Sequence, residues 1–78
     1  MDYISSDLKV IEPIVTCVGE HFVSIENYVS IITYETEEVK VKTKHKVIKI
    51  IGKQLNIKYI VEDEMAIVGN INSIEFID

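Results

Sequence analysis

The chain has 78 residues, 47% of them hydrophobic, with a formal net charge of −5. A chain of this length makes one domain at most and buries only about 60% of its unfolded surface, which leaves little to spare for a deep internal substrate cavity. A single cysteine, Cys17, excludes an intramolecular disulfide, and no apolar run approaches the roughly 20 residues of a membrane-spanning helix.

The apolar residues are of one kind: fifteen Ile and ten Val against two Leu and one Ala. Branching at Cβ restricts rotamers in a helix and packs well on a pleated surface, so the expected fold class is all-β. The opening segment, residues 1–12, has weak periodicity and is expected to be irregular up to Pro13, with a single domain over residues 13–78. Strands are then expected at Ile14 to Val18, Phe22 to Ile25 and Val29 to Tyr34. Glu38 to Thr43 alternates cleanly, valines on one face and charged residues on the other, as a half-buried strand does. The polar Thr43-Lys44-His45-Lys46 stretch reads as a hairpin turn into Val47 to Ile51. Gly52 and Gly69 separate the last four runs, Val47 to Ile51, Gln54 to Ile60, Met65 to Val68 and Ile71 to Ile77, with Glu62-Asp63-Glu64 as a polar turn. In the second of these runs, Gln54 to Ile60, Leu55, Ile57 and Tyr59 are expected to share one face.

The expectation is therefore seven to eight short antiparallel strands in a curled sheet, small sandwich or barrel. Val18-Gly19, Ile51-Gly52 and Val68-Gly69 each lead into further apolar positions, at intervals of 33 and 17 residues, which points to repeated strand-Gly-strand units. Several runs are apolar at both odd and even positions. Val29, Ile31, Val47 and Ile51 fall opposite Ile32, Ile48 and Ile50, so one set enters the core and the other needs a different cover. A homo-oligomer interface through Val29, Ile31, Val47 and Ile51 is the expected solution, and a compact monomeric sandwich whose second sheet covers the same residues is the alternative.

The charge is distributed in blocks. Residues 1–39 hold eight acids and one lysine, residues 40–58 seven lysines and no acid, residues 59–78 five acids and no lysine. Lys40, Lys42, Lys44, Lys46, Lys49 and Lys58 are candidates for an anionic-ligand patch, for lipid headgroups or nucleic acid. Arginine is absent and no aromatic is interleaved with the lysines, which weighs against nucleic acid. The simpler reading is lysines on solvent faces paired across strands with Glu35, Glu37 or Glu75.

Cys17, His21 and His45 are the soft ligands, fewer than the four a structural zinc site takes, and no metal or cofactor is expected. A buried thiol and surface imidazoles are the expected arrangement. No nucleophile elbow, paired catalytic carboxylates outside polar turns, or glycine-rich phosphate loop is recognisable, so no catalytic residue is assigned and no enzymatic activity is expected. No leader of the charged-then-apolar type is seen, and a cytoplasmic location is expected, with membrane contact peripheral at most.

The string from Pro13 to Tyr34, the lysine-rich stretch from Val39 to Ile60 and the segment Ile67 to Asp78 together resemble the YabP/YqfC family of sporulation proteins, the YqfC branch most closely. The points of likeness are Pro13, Gly19, Ile25-Glu26-Asn27, Ile48-Lys49-Ile50 before Gly52, Leu55 with Ile57, and Ile67-Val68-Gly69 before Ile74 and Phe76. The resemblance implies a non-enzymatic protein of the mother cell that assembles with itself or with an integral membrane sporulation protein. The chain departs from the pattern in lacking a basic N-terminal extension and in having Tyr28-Val29-Ser30 after the triplet.

Overall fold

The computed structural model of the chain describes residues 12–78, so the irregular segment expected over residues 1–12 lies almost wholly outside the described residues. Six antiparallel strands follow: β1 (Ile14–Val18), β2 (Phe22–Glu26), β3 (Tyr28–Tyr34), β4 (Glu38–Thr43), β5 (Val47–Val61) and β6 (Glu64–Ile77). They form one sheet in the order β1-β2-β6-β5-β4-β3, whose two edge strands leave it unclosed. It is all-β and antiparallel, as expected, and is not a barrel.

The expected seven to eight strands are six because Gly52 and Gly69 bend strands rather than end them. The hydrogen-bonded register of β5 with β6 runs from Val47↔Ile77 to Val61↔Glu64, with shifts at the glycine positions and between Ile57 and Tyr59. A Cβ at position 52 would stand 2.0 Å from the Asn70 carbonyl oxygen, and one at position 69 would stand 2.6 Å from that of Gln54. Only glycine allows the two backbones to approach this closely at the waist of the hairpin.

The waist folds the sheet over on itself. Asn27 alone, at φ 66°, joins β2 to β3. Those strands are second and last in the sheet order, four strand spacings or about 19 Å apart in a flat sheet. A single linking residue spans well under half that distance. The C-terminal part of β5 and the N-terminal part of β6 therefore form one layer with β2 and β1, and the remaining parts form the other with β4 and β3. Val23, Ile25, Met65 and Ile67 from the first layer and Val39, Val41, Ile48 and Ile50 from the second, all within 1% of full burial, meet with Leu55 in one cluster. Burying such a side chain contributes roughly 1.5–3 kcal/mol, so this cluster is the main stabilising feature.

The layers repeat each other. Ile48, Ile50 and Gly52 in β5 correspond to Met65, Ile67 and Gly69 in β6, and Val41 and Val39 pair with the first set as Ile25 and Val23 pair with the second. Beyond each hairpin the turn docks alike. The N–H groups of Gly52 and Leu55 donate to the carbonyls of Glu37 and Thr36 at 3.1 and 2.8 Å, and those of Gly69 and Ile71 to His21 and Glu20 at 3.2 and 2.9 Å. The expected strand-Gly-strand repetition thus holds for Gly52 and Gly69, 17 residues apart. Gly19 is of another kind: it lies in the β1–β2 turn at φ +61°, with open space where a Cβ would be.

Candidate interaction surface

Strict alternation in β4 and the start of β5 places Lys40, Lys42 and Lys49 on the outer face of the β3–β4 layer, because Val39, Val41, Ile48 and Ile50 point inward. Val47 and Ile51 are half-buried on that same outer face. Lys40 lies directly across from Lys49. Lys49 in turn faces Glu75 on β6, and Lys40 stands 3.6 Å from Glu38 on its own strand, where a cross-strand pairing with Glu35, Glu37 or Glu75 was expected. Lys44 and Lys46 flank His45 in the β4–β5 turn, which Thr43 fastens. Its N–H donates to the Lys46 carbonyl at 2.8 Å, and its Oγ1 accepts from the Lys46 N–H at 3.1 Å. Lys46 pairs with Asp78, holding that carboxyl below the ordinary range through the hydrogen bond and the lysine charge. The turn, Lys42 and Asp78 line a cleft of about 240 Å³, smaller than the roughly 300–1,000 Å³ of small-molecule sites. Five of the six candidate lysines are thus gathered in this layer, while Lys58 stands in the other.

Of the four expected interface residues, Ile31 is placed toward the core. β3 carries register shifts between Tyr28 and Ser30 and between Ile31 and Thr33, and each inserts a residue that breaks the alternation. Val29 and Ile32, the inserted residues, are 60% and 51% exposed, whereas Ile31 packs against the core. Ile32 was the one assigned inward. A similar shift after Ile57 puts Tyr59 opposite Ala66, on the outer face, away from Leu55 and Ile57.

The outer face of the β1–β2 layer has the opposite sign. Glu26 and Glu64 are direct cross-strand partners, alternating with buried Ile25 and Met65, and Glu62 and Asp63 are exposed in the adjoining turn. Ile14, Val18 and Val61 add exposed apolar surface to this layer. The Tyr59 hydroxyl donates to Glu64 Oε2 at 2.8 Å. Tyr59 lies directly across from Ala66, which is fully buried. That hydrogen bond, burial, and the charges of Glu64 and Glu26 raise the Tyr59 phenol above the ordinary tyrosine range. The raised value means that its stabilising contribution is present at neutral pH and is lost as pH rises through the folded-state pKa. Glu64→Gln is expected to bring Tyr59 ionisation back toward the ordinary value in an NMR pH titration. An unmoved titration would remove Glu64 as the cause.

One open side of the sandwich is closed by a side chain the sequence reading missed. The Tyr34 hydroxyl accepts from the Ile57 N–H at 3.1 Å and donates to Asn56 Oδ1 at 3.3 Å, tying β3 to the far part of β5. By register the position that corresponds to Tyr34 in β1 is Cys17, since Tyr34 pairs with Val39 as Cys17 pairs with Val23, and Phe76 on β6 is 55% exposed. Tyrosine at a strand end is a weak signal in sequence, because its partner lies 22 residues away.

Cys17 is exposed, correcting the expected buried thiol, since β1 is a sheet edge. His21 Nδ1 donates to the Gly69 carbonyl at 3.1 Å, and His45 stands 3.7 Å from Glu12. These contacts fix the waist and the turn. Among the described residues no three His, Cys, Asp or Glu side chains are grouped as metal ligands, and no helix is long and apolar enough to cross a membrane.

The family model described as the YabP family matches residues 12–78, the whole of the described fold. No curated protein and no solved structure matches the chain.

Proposed function

The chain belongs to the YabP family, and from that premise we propose that it is a non-enzymatic sporulation protein of the mother cell, a module that assembles through its sheet faces with itself and with an integral membrane partner. The points of likeness noted in the sequence support placing it nearest the YqfC-like branch. A cytoplasmic position, peripheral to a membrane, belongs to the same reading.

The observation that carries it is the outer face of the β3–β4 layer, where Val47 and Ile51 stand among Lys40, Lys42 and Lys49 beside the exposed bulges of β3. Mixed apolar and charged surface of this kind suits a contact between proteins better than a small-molecule site. Light scattering on the 8.9 kDa chain is expected to give multiples of that mass at rising concentration. A monomeric mass at high micromolar concentration would refute self-assembly.

A second reading, binding of anionic lipid headgroups or nucleic acid, is favoured by the gathering of Lys40, Lys42, Lys44, Lys46 and Lys49 in one layer. Glu38 and Glu75 among them weaken it. Affinity for anionic vesicles that falls steeply with salt is the result that would support it.

A further inference from the structure

We propose that copies of this chain associate head to tail, the lysine-bearing outer face of the β3–β4 layer of one copy seating on the glutamate-bearing outer face of the β1–β2 layer of the next. This rests on the self-assembly reading above and specifies its geometry.

The fold sorts charge by layer. Residues 28–53 and 70–78, the β3–β4 layer, hold six lysines and five acids, while residues 12–27 and 54–69, the β1–β2 layer, hold one lysine and six acids. In sequence these charges form three alternating blocks. Folding at Gly52 and Gly69 sorts them into two layers, one of formal charge +1 (six lysines less five acids) and one of −5 (one lysine less six acids).

Each face carries a like-charged pair in direct cross-strand register: Lys40 with Lys49 on one, Glu26 with Glu64 on the other. Like charges in that position are destabilising. Partial relief exists within the chain, from Glu38 and Glu75 on the first face and from the Tyr59 hydroxyl on the second. Among the described residues neither pair is fully offset within its own face, and the opposite face of the molecule presents the missing sign, so a second copy supplies it to both. Apolar residues accompany both pairs, Val47 and Ile51 on one side, Ile14, Val18 and Val61 on the other.

The sign of the faces also selects the symmetry. A closed two-fold contact would set Lys40 and Lys49 against their own copies, or Glu26 and Glu64 against theirs, and like-charge juxtaposition across an interface is costly. Pairing unlike faces leaves one face of each sign unused at the ends. Such a contact adds further copies, as a ring if the rotation closes and as a filament if it does not.

The test is a charge exchange read by light scattering. Glu26→Lys with Glu64→Lys makes both faces basic, and Lys40→Glu with Lys49→Glu makes both acidic. Each double variant alone is expected to associate at least roughly tenfold more weakly than the unmodified chain, about 1.4 kcal/mol or more. Mixing them in equal amounts is expected to restore assembly. Circular dichroism checks that each is folded. If a reversed variant is not, Glu26→Gln with Glu64→Gln takes its place, and its association is expected to weaken and to lose its salt dependence. Assembly of either reversed variant, or of the neutral one, at the unmodified strength overturns the face pairing while leaving self-assembly standing. So does a mixture that stays monomeric under conditions where the unmodified chain assembles. An unmodified chain that is monomeric at low salt, and binds anionic vesicles through its lysines instead, overturns the self-assembly reading itself.

Discussion

Gly52→Ala is expected to leave the chain largely unfolded at room temperature. The added methyl would lie 2.0 Å from the Asn70 carbonyl oxygen, a backbone atom held in the β5–β6 ladder, so neither side can yield without breaking the waist. The Gly52 N–H also donates to the Glu37 carbonyl, so displacing this residue undocks the β3–β4 turn as well. Effects above about 4 kcal/mol are exceptional for single substitutions and come from this kind of backbone conflict. A domain of this size has a total stability of roughly 4–12 kcal/mol at about 0.05–0.15 kcal/mol per residue. Gly19→Ala is the control. Its backbone is left-handed but its surroundings are open, so only the conformational cost of roughly 1–2 kcal/mol is expected. Urea unfolding followed by circular dichroism compares the two. A midpoint for Gly52→Ala as high as that for Gly19→Ala would show that the waist adapts.

Ile50→Ala and Ile67→Ala are expected to cost about 2–5 kcal/mol each, and to differ from one another by less than about 1 kcal/mol. Both side chains are fully buried, they occupy corresponding places before Gly52 and Gly69, and each faces a buried valine across the sheet, Val39 and Val23. Near-equality is the informative part, since it follows from equivalent layers and from nothing in either residue alone. Ile60→Ala, at a half-exposed position, is expected to cost well under that range. If one of the two core substitutions proves mild, the layers repeat in topology but differ in how well each can collapse around a cavity.

The Ile and Val content was enough to give the all-β class, because strand preference is carried by each side chain separately. The alternation of Glu38 to Thr43 and the Thr43 to Lys46 turn were legible for a similar reason: both are set within a few residues of chain. Parity was not legible beyond a bulge. The inserted residues Val29 and Ile32 exchange the faces of their neighbours, and nothing in Tyr28-Val29-Ser30-Ile31-Ile32-Thr33 marks which residue will be extra. Gly52 and Gly69 were recognisable as bends, yet whether a strand ends or continues through a glycine depends on the partner strand. The lysines were visible as a cluster because they are contiguous. The pairing of Glu26 with Glu64 joins residues far apart in the chain, and no local pattern announces it.

The one-residue link at Asn27 has a consequence for the order of assembly. It sends two hairpins that are neighbours in the chain into opposite layers, and each docks on a different strand of the C-terminal hairpin, β2 on β6 and β4 on β5. Neither can complete a layer by pairing with the other. During synthesis, β1 to β4 emerge from the ribosome before either docking edge exists. β5 gives β4 its partner as soon as it follows, whereas β2 has none until β6 has been made. The β1–β2 hairpin therefore docks after β3 and β4, against the order of the strands in the chain.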